Sequence, residues 1–303
     1  MIKVVFFGTP DIGLKSLEYL YNSGKFDVLA VVTQPDKPAG RGHKLQMPPI
    51  KKFAIEKNIP VFQPKSIRKE PEIIEKLKQL QPDFFVTFAF GQILSQEVLD
   101  IPKYATINLH ASLLPKYRGA NPIQRAIING DKETGICTMI TELGLDCGDI
   151  CQKLTIPISD TMNCEELWNE IAEKSPEMIG QTLEGLVNKT LVPQKQCENG
   201  ICMANKLTKE ECLIDWSKSN LEIHNLVRGI CRSPGAYFIY NSKIIKVIES
   251  TPVDGEYETG KISINSKNGI DIGCGKGLLR ILKVKPEGKG EMPAKDWYNG
   301  VKK

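Results

Sequence analysis

The chain has 303 residues, of which 41% are hydrophobic and 25% charged, and it carries a formal net charge of +4. That length suits two domains with a large core, and the composition is that of a globular enzyme, which excludes disordered, collagen-like and low-complexity classes. No apolar stretch approaches the ~18 residues of a membrane span, and "MIKVVFFGTP" reads as a strand from its second residue, leaving no signal or transit segment, so a cytoplasmic protein without membrane contact is expected.

Short, nearly continuous apolar runs fall at 2–8 (IKVVFFG), 27–33 (DVLAVVT), 83–90 (DFFVTFAF) and 105–110 (ATINLH), the pattern of strands buried on both faces of a parallel sheet. Helical stretches separate them. "PDIGLKSLEYLYNSG" opens on Pro10 and closes on Gly24, and "PEIIEKLKQLQ" and "NPIQRAIING" repeat the pattern. "GICTMITEL" (135–143) predicts a further strand, and residues 164–188 a long helix with a bend at Pro176. The sum is an α/β fold: a doubly wound, Rossmann-like domain over residues 1–189.

Residues 190–206 are irregular and polar, which reads as a linker. Beyond them one helix (219–230) accompanies five short strands, "AYFIY", "KIIKVIES", "TGKISINS", "GIDIGC" and "GLLRILKVKPEG", and predicts a small β-barrel of the OB-like kind over 207–303. Residues 190–303 hold 18 Lys and Arg against 13 Asp and Glu, so the basic excess sits in this part and suits a phosphate backbone. The nine cysteines show no Cys-x-x-Cys spacing and read as reduced thiols with no metal site.

The first turn reads Gly8-x-x-x-x-Gly13 and lacks the Gly-x-Gly-x-x-Gly spacing, which disfavours a nicotinamide cofactor. The segment from 33 to 52 is too long for a simple strand-to-helix connection and gathers Lys37, Arg41, His43 and Lys44, which suits an anionic partner. Asn108 and His110, two apart, share one face at the carboxyl end of a strand, where open α/β sheets bind ligands. An amide donor beside an imidazole suits acyl transfer through a tetrahedral intermediate, and the turn "TELGLDCGDI" offers Asp146 or Asp149 as the acid partner. Both aspartates are also ordinary turn formers, so spacing alone leaves the trio open.

"NLHASLLPKYRGANPIQRAI" resembles the hallmark segment of the folate-dependent formyltransferases, and "FFGTPDIGLKSLEYL", "TQPDKPAGRGHKL", "FGQILSQEVL" and "LIDWSKSNLEIHNLVRGICRSPGAYF" extend the likeness along nearly the whole chain. The resemblance implies transfer of the formyl group of 10-formyltetrahydrofolate to the α-amine of methionine on initiator tRNA, in translation initiation, by a monomeric enzyme without metal. It implies that Asn108 and His110 stabilise the oxyanion and that Asp146 assists proton removal. The stretch Phe88, Ala89, Phe90, Gly91 would border the pterin pocket, and Ser112, Leu113, Leu114, Pro115, Lys116, Tyr117, Arg118 and Gly119 would form the folate loop. The loop bearing Lys37, Arg41, His43 and Lys44 would meet the acceptor end of the tRNA, and the barrel its backbone.

Three places depart from the family pattern: Cys147 follows the acid where Thr is more usual, "MPPIK" replaces a Ser-Pro form, and Cys231-Arg232-Ser233 stands where a proline-containing stretch is common. Two other readings compete, a relative formylating another amine such as an amino sugar nucleotide, and a non-catalytic tRNA-binding protein.

Overall fold

The apolar runs of the first half are strands in the computed structural model, which describes residues 1–39, 44–231, 233–263 and 268–302. The chain begins β1 (Ile2–Gly8), α1 (Leu14–Asn22), β2 (Phe26–Val32), β3 (Lys37–Ala39), β4 (Lys44–Gln46), α2 (Pro49–Glu56), β5 (Val61–Phe62) and α3 (Pro71–Gln79). It continues with β6 (Phe84–Phe88), α4 (Gln96–Leu99), β7 (Ala105–His110), β8 (Arg118–Gly119), α5 (Pro122–Ile128), β9 (Glu133–Ile140), β10 (Ile150–Pro157) and α6 (Cys164–Val187). The main sheet has the order β10-β9-β7-β6-β1-β2-β5, parallel through β7-β6-β1-β2-β5, with β9 antiparallel to β7. Chain direction across the sheet reverses between β1 and β6, which makes the crevice beyond their carboxyl ends the topological switch point.

Burial explains why the sequence reads this way. Val4 and Phe6 of β1 pack on one face and Val5 and Phe7 on the other, all fully buried, with Val5 and Phe7 joining Ala30, Val32, Phe85, Leu77 and Ile74 in one core layer. Two strands lie outside the pattern the sequence displays. β10 shows its middle residues to solvent, and an edge strand of that kind has no continuous apolar run to betray it. β5, of two residues, lies at the opposite edge. The long basic segment is also more ordered than a bare loop, because β3 and β4 pair antiparallel through Lys37 with Gln46 and Pro38 with Leu45. Its base is held by Lys51 and by Gln63, both hydrogen-bonded to Asp36, and these bonds, Lys51 first, keep the Asp36 carboxyl below the usual range.

The rest of the chain forms β11 (Met203–Ala204), α7 (Asn220–Gly229), β12 (Tyr237–Tyr240), β13 (Lys243–Val253), β14 (Ile262–Ser263), β15 (Ile270–Gly273), β16 (Leu278–Pro286), β17 (Met292–Pro293) and α8 (Ala294–Val301). Its antiparallel sheet runs β12-β13-β16-β15-β14, with β17 on β16, and makes a half-barrel. Ser219 caps α7 in a reciprocal box with Glu222, and Ile223 and Val227 of that helix enter the same core as Phe238, Val247, Leu279 and Ile281. Helix α8 is not among the elements the sequence predicts. Its largest buried side chain is Trp297, which lies edge-on to Phe238 and Tyr240.

The chain divides into two compact units. The first comprises Met1–Gly119, Gly135–Ile156 and Trp168–Met203, and the second Ala120–Thr134, Pro157–Leu167 and Ala204–Lys303. No helix among the described residues is long and apolar enough to cross a membrane.

Candidate active site

Strand alternation turns Ile107 and Leu109 of β7 into the core and leaves Asn108 and His110 together on the other face. Thr87 stands opposite Asn108 in the β6–β7 ladder and donates its hydroxyl to Asn108 Oδ1 at 2.8 Å. With its oxygen occupied, the Asn108 amide has its NH2 to offer as a donor. His110 is 5% exposed. Its Nε2 lies 2.8 Å from the Tyr117 carbonyl oxygen, which can only accept, so this nitrogen carries a proton. Nδ1 faces Asp146 Oδ2 at 3.6 Å, beyond a direct hydrogen bond and close enough for electrostatic coupling.

The segment after β7 is held at several points. Ser112, fully buried, donates to the Lys116 carbonyl at 2.7 Å, and the Lys153 ammonium donates to the Leu114 carbonyl at 2.6 Å. The Tyr117 N–H donates to Cys202 Sγ at 3.2 Å, and the Arg118 N–H to the Cys202 carbonyl at 3.0 Å. Tyr117 itself is buried with φ +61°, an uncommon conformation for an aromatic residue that costs about 1 kcal/mol and persists because its surroundings fix it. That conformation delivers the Tyr117 carbonyl to His110.

Asp146 occupies a left-handed position as well, with φ +48°. Its Oδ2 accepts the Gly119 N–H at 2.7 Å, so the acid and the end of the 112–119 segment are tied directly. Gln196 makes a second tie. Its Nε2 donates to the carbonyls of Asp146 and Gly148, each at 2.8 Å, while its Oε1 accepts from Arg118 Nη2 at 2.7 Å and Nε at 3.1 Å. Gly148 permits the close packing of this turn, since a Cβ there would overlap the Ile140 carbonyl. Cys147 folds back toward the Leu143 carbonyl at 3.8 Å and closes the turn.

The remaining expected site residues divide by exposure. Phe88 and Phe90 turn their rings into the core, Phe90 edge-on to Phe7, so only the backbone, the exposed Ala89 and the exposed Gly91 of that stretch can meet a ligand. The Phe90 carbonyl accepts from Thr9 Oγ1 and Gln34 Nε2, both at 3.2 Å, which fixes this stretch at the switch point. Leu114 is buried with Cys137, Met139 and Ile150; Leu113, Pro115, Arg118 and Gly119 are half-buried, and Lys116 is exposed. Lys37 is exposed on β3 and Lys44 belongs to β4, whereas Arg41 and His43 lie outside the described residues. A cleft of about 760 Å³ lined by Lys3, Lys78, Asp83 and Lys103 belongs to the opposite, amino end of the parallel strands and contains none of these groups.

Comparison with known proteins matches the formyl transferase family to residues 2–183 and the formyl transferase C-terminal domain to residues 206–302. The chain belongs to the formyltransferase family. Methionyl-tRNA formyltransferase of Clostridium novyi (strain NT) is 44% identical to it over 301 residues, 99% of this chain and 97% of that protein. The enzyme of the same name from Clostridium perfringens (strain SM101 / Type A) is 46% identical with the same coverage. Among solved structures, the N-formyltransferase of Helicobacter canadensis, in complex with folinic acid and dTDP-3-aminofucose, aligns at a TM-score of 0.69 and 21% identity over 94% of this chain and all of that one. At that identity the likeness is one of fold. In this formyltransferase, Thr87, Gln196 and the Tyr117 carbonyl are the groups around the expected trio whose part the sequence did not reveal. Gln196 is 50 residues from Asp146, and no local pattern marks it.

Proposed function

We infer that this chain transfers the formyl group of 10-formyltetrahydrofolate to the α-amine of methionine esterified to initiator tRNA, yielding formylmethionyl-tRNA in the cytoplasm. The observation that carries the reading is the likeness to methionyl-tRNA formyltransferases over 99% of the chain, which includes the basic C-terminal part. The folinic acid bound by the Helicobacter canadensis protein supports a folate as donor.

The neutral amine attacks the formyl carbon, and negative charge gathers on the formyl oxygen. The Asn108 NH2 donates to that oxygen, while His110, whose Nε2–H is already committed to Tyr117, acts through Nδ1 on the side facing Asp146. A new C–N bond to the methionyl nitrogen forms and the bond to the folate nitrogen breaks. The one proton lost by the amine is taken up at the Asp146–His110 pair and handed on to the leaving folate nitrogen, so charge balances without an external acid. Residues 112–119 and the backbone of 88–91 hold the folate. The catalytic domain spans 1–189 and a linker 190–206; residues 207–303 engage the tRNA backbone, and the basic segment that carries Lys37, Arg41, His43 and Lys44 engages its acceptor end.

The test is transfer of labelled formyl from 10-formyltetrahydrofolate to methionine-charged initiator tRNA, beside uncharged tRNA and a dTDP-linked amino sugar. Product is expected on the charged tRNA alone, and product on the sugar would overturn the acceptor. His110→Ala is expected to lower kcat by at least ~100-fold with folate and tRNA binding held within a few-fold. A proportional loss of binding would make His110 a structural residue.

A further inference from the structure

Cys164 is the first residue of α6 and Cys231 lies just beyond the end of α7, both within the second compact unit. They are 67 residues apart in sequence, and their sulfurs lie 3.5 Å apart. The frame around them is fixed from both sides. Asn163 caps α6, its Oδ1 accepting the N–H groups of Glu165 at 2.9 Å and Glu166 at 3.0 Å, and the Cys231 thiol, when protonated, donates to the same oxygen at 3.6 Å. Arg228, 6% exposed near the end of α7, donates to the carbonyls of Ser159 at 3.0 Å and Met162 at 2.6 Å and to Asn225 Oδ1 at 2.9 Å. The turn before α6 and the end of α7 are therefore clamped together next to the two sulfurs.

Three other thiols are insulated. Burial pushes Cys137 and Cys274 up to about 11 and Cys151 up to about 12. Cys231 departs in the opposite direction, to about 6. The Cys164 thiol donates to its sulfur, and the backbone N–H groups of Glu165 and Cys164 at the start of α6 add to this, against burial and the Glu165 carboxylate. Cys231 is half-buried, open to a small oxidant, whereas Cys164 is 1% exposed and reaches little besides its neighbour.

We propose that Cys164 and Cys231 form a reversible redox pair, in which a hydroperoxide oxidises Cys231 and Cys164 resolves it as a disulfide. The Cys231 thiolate attacks one peroxide oxygen and the O–O bond breaks. With hydrogen peroxide the departing hydroxide takes a proton and leaves as water, and Cys231 becomes a sulfenic acid. Cys164 gives up its proton and attacks the Cys231 sulfur; the S–S bond forms, the S–O bond breaks and a second water leaves. Two thiols and one hydrogen peroxide become one disulfide and two waters, with two electrons passing from sulfur to peroxide oxygen. A small dithiol reverses the step by exchange. Closing the sulfurs from 3.5 Å to the ~2.05 Å of a disulfide requires them to approach by about 1.5 Å. The bond then joins the first residue of α6 to the residue just beyond α7, beside the Arg228 clamp.

The experiment treats the full chain with one to three equivalents of hydrogen peroxide, blocks remaining thiols with N-ethylmaleimide and maps the peptides by mass spectrometry. A cross-linked peptide joining Cys164 to Cys231, lost on adding dithiothreitol, is the expected result, and in Cys164→Ser a dimedone adduct should accumulate at Cys231. Oxidation confined to the exposed Cys197, with Cys164 and Cys231 still blocked by maleimide, would overturn the proposal. A second readout needs no variant and no oxidant. Alkylation of Cys231 by iodoacetamide should rise about tenfold from pH 5 to 7 and then level off. A Cys231 rate that stays flat from pH 5 to 7 and climbs only above about pH 8 would remove the activated thiolate on which the first step depends.

Discussion

Replacing Gln196 by Ala removes the second tie between the acid turn and the folate segment while leaving the bond from the Gly119 N–H to Asp146 in place. Two hydrogen bonds to the Asp146 and Gly148 carbonyls are lost, at about 1 kcal/mol each, together with a charge-assisted pair to Arg118 worth about as much in this half-exposed setting. Water recovers part of this, leaving roughly 2–3 kcal/mol less local order in the turn that holds Asp146. With this loss felt fully in the fraction of molecules with Asp146 in place, kcat falls about 30- to 160-fold. The fold does not depend on this turn, so the melting temperature should move by no more than about 3 °C. Steady-state formyl transfer with circular dichroism measures both quantities. Gln196→Glu sharpens the test, since it can still accept from Arg118 but places a carboxylate against two carbonyls. It should lower kcat at least as far as Gln196→Ala while Arg118 stays anchored. A Gln196→Ala enzyme within threefold of the parent kcat, at unchanged melting temperature, would show that Asp146 is positioned by Gly119 and its own backbone alone.

Thr87→Val deletes the hydroxyl that occupies Asn108 Oδ1, so the amide is free to turn its oxygen toward the reaction; kcat is expected to fall about three- to tenfold, with folate binding unchanged in a fluorescence titration. A change in binding without a change in kcat would place Thr87 in the pocket wall instead. Burial, then the nearby Arg228, lowers the His224 pKa from its ordinary 6.5, with Asp160 acting weakly the other way. Between the folded and unfolded values only the unfolded chain binds this proton, so the stability contributed is complete above about pH 6.5 and declines as pH falls toward the folded value. Denaturant midpoints between pH 7.5 and 5.5 should therefore drop on acidification, and His224→Gln should flatten that slope; an equal slope in the variant would assign it to other groups.

Periodicity over a few residues decided much of this protein. The runs at 2–8 and 105–110 are strands with the expected limits because burial on both faces demands an unbroken apolar sequence, and Asn108 and His110 share a face because a strand repeats every two residues. The long helix after Asn163 and the capped helix after Ser219 were legible for the same reason, their signals lying within one or two turns of chain. Tertiary structure decided the remainder. Strand β10 is an exposed edge, and α8 is a short helix whose buried residues, Ala294 and Trp297, are too few to mark it, so neither carries a clear local apolar pattern. The Tyr117 carbonyl reaches His110 through a left-handed backbone turn, Gln196 meets Asp146 from 50 residues away, and the sulfurs of Cys164 and Cys231 meet across 67. Contacts of that kind arise when packing closes long loops, and loop closure leaves no periodic trace in the residues between its ends.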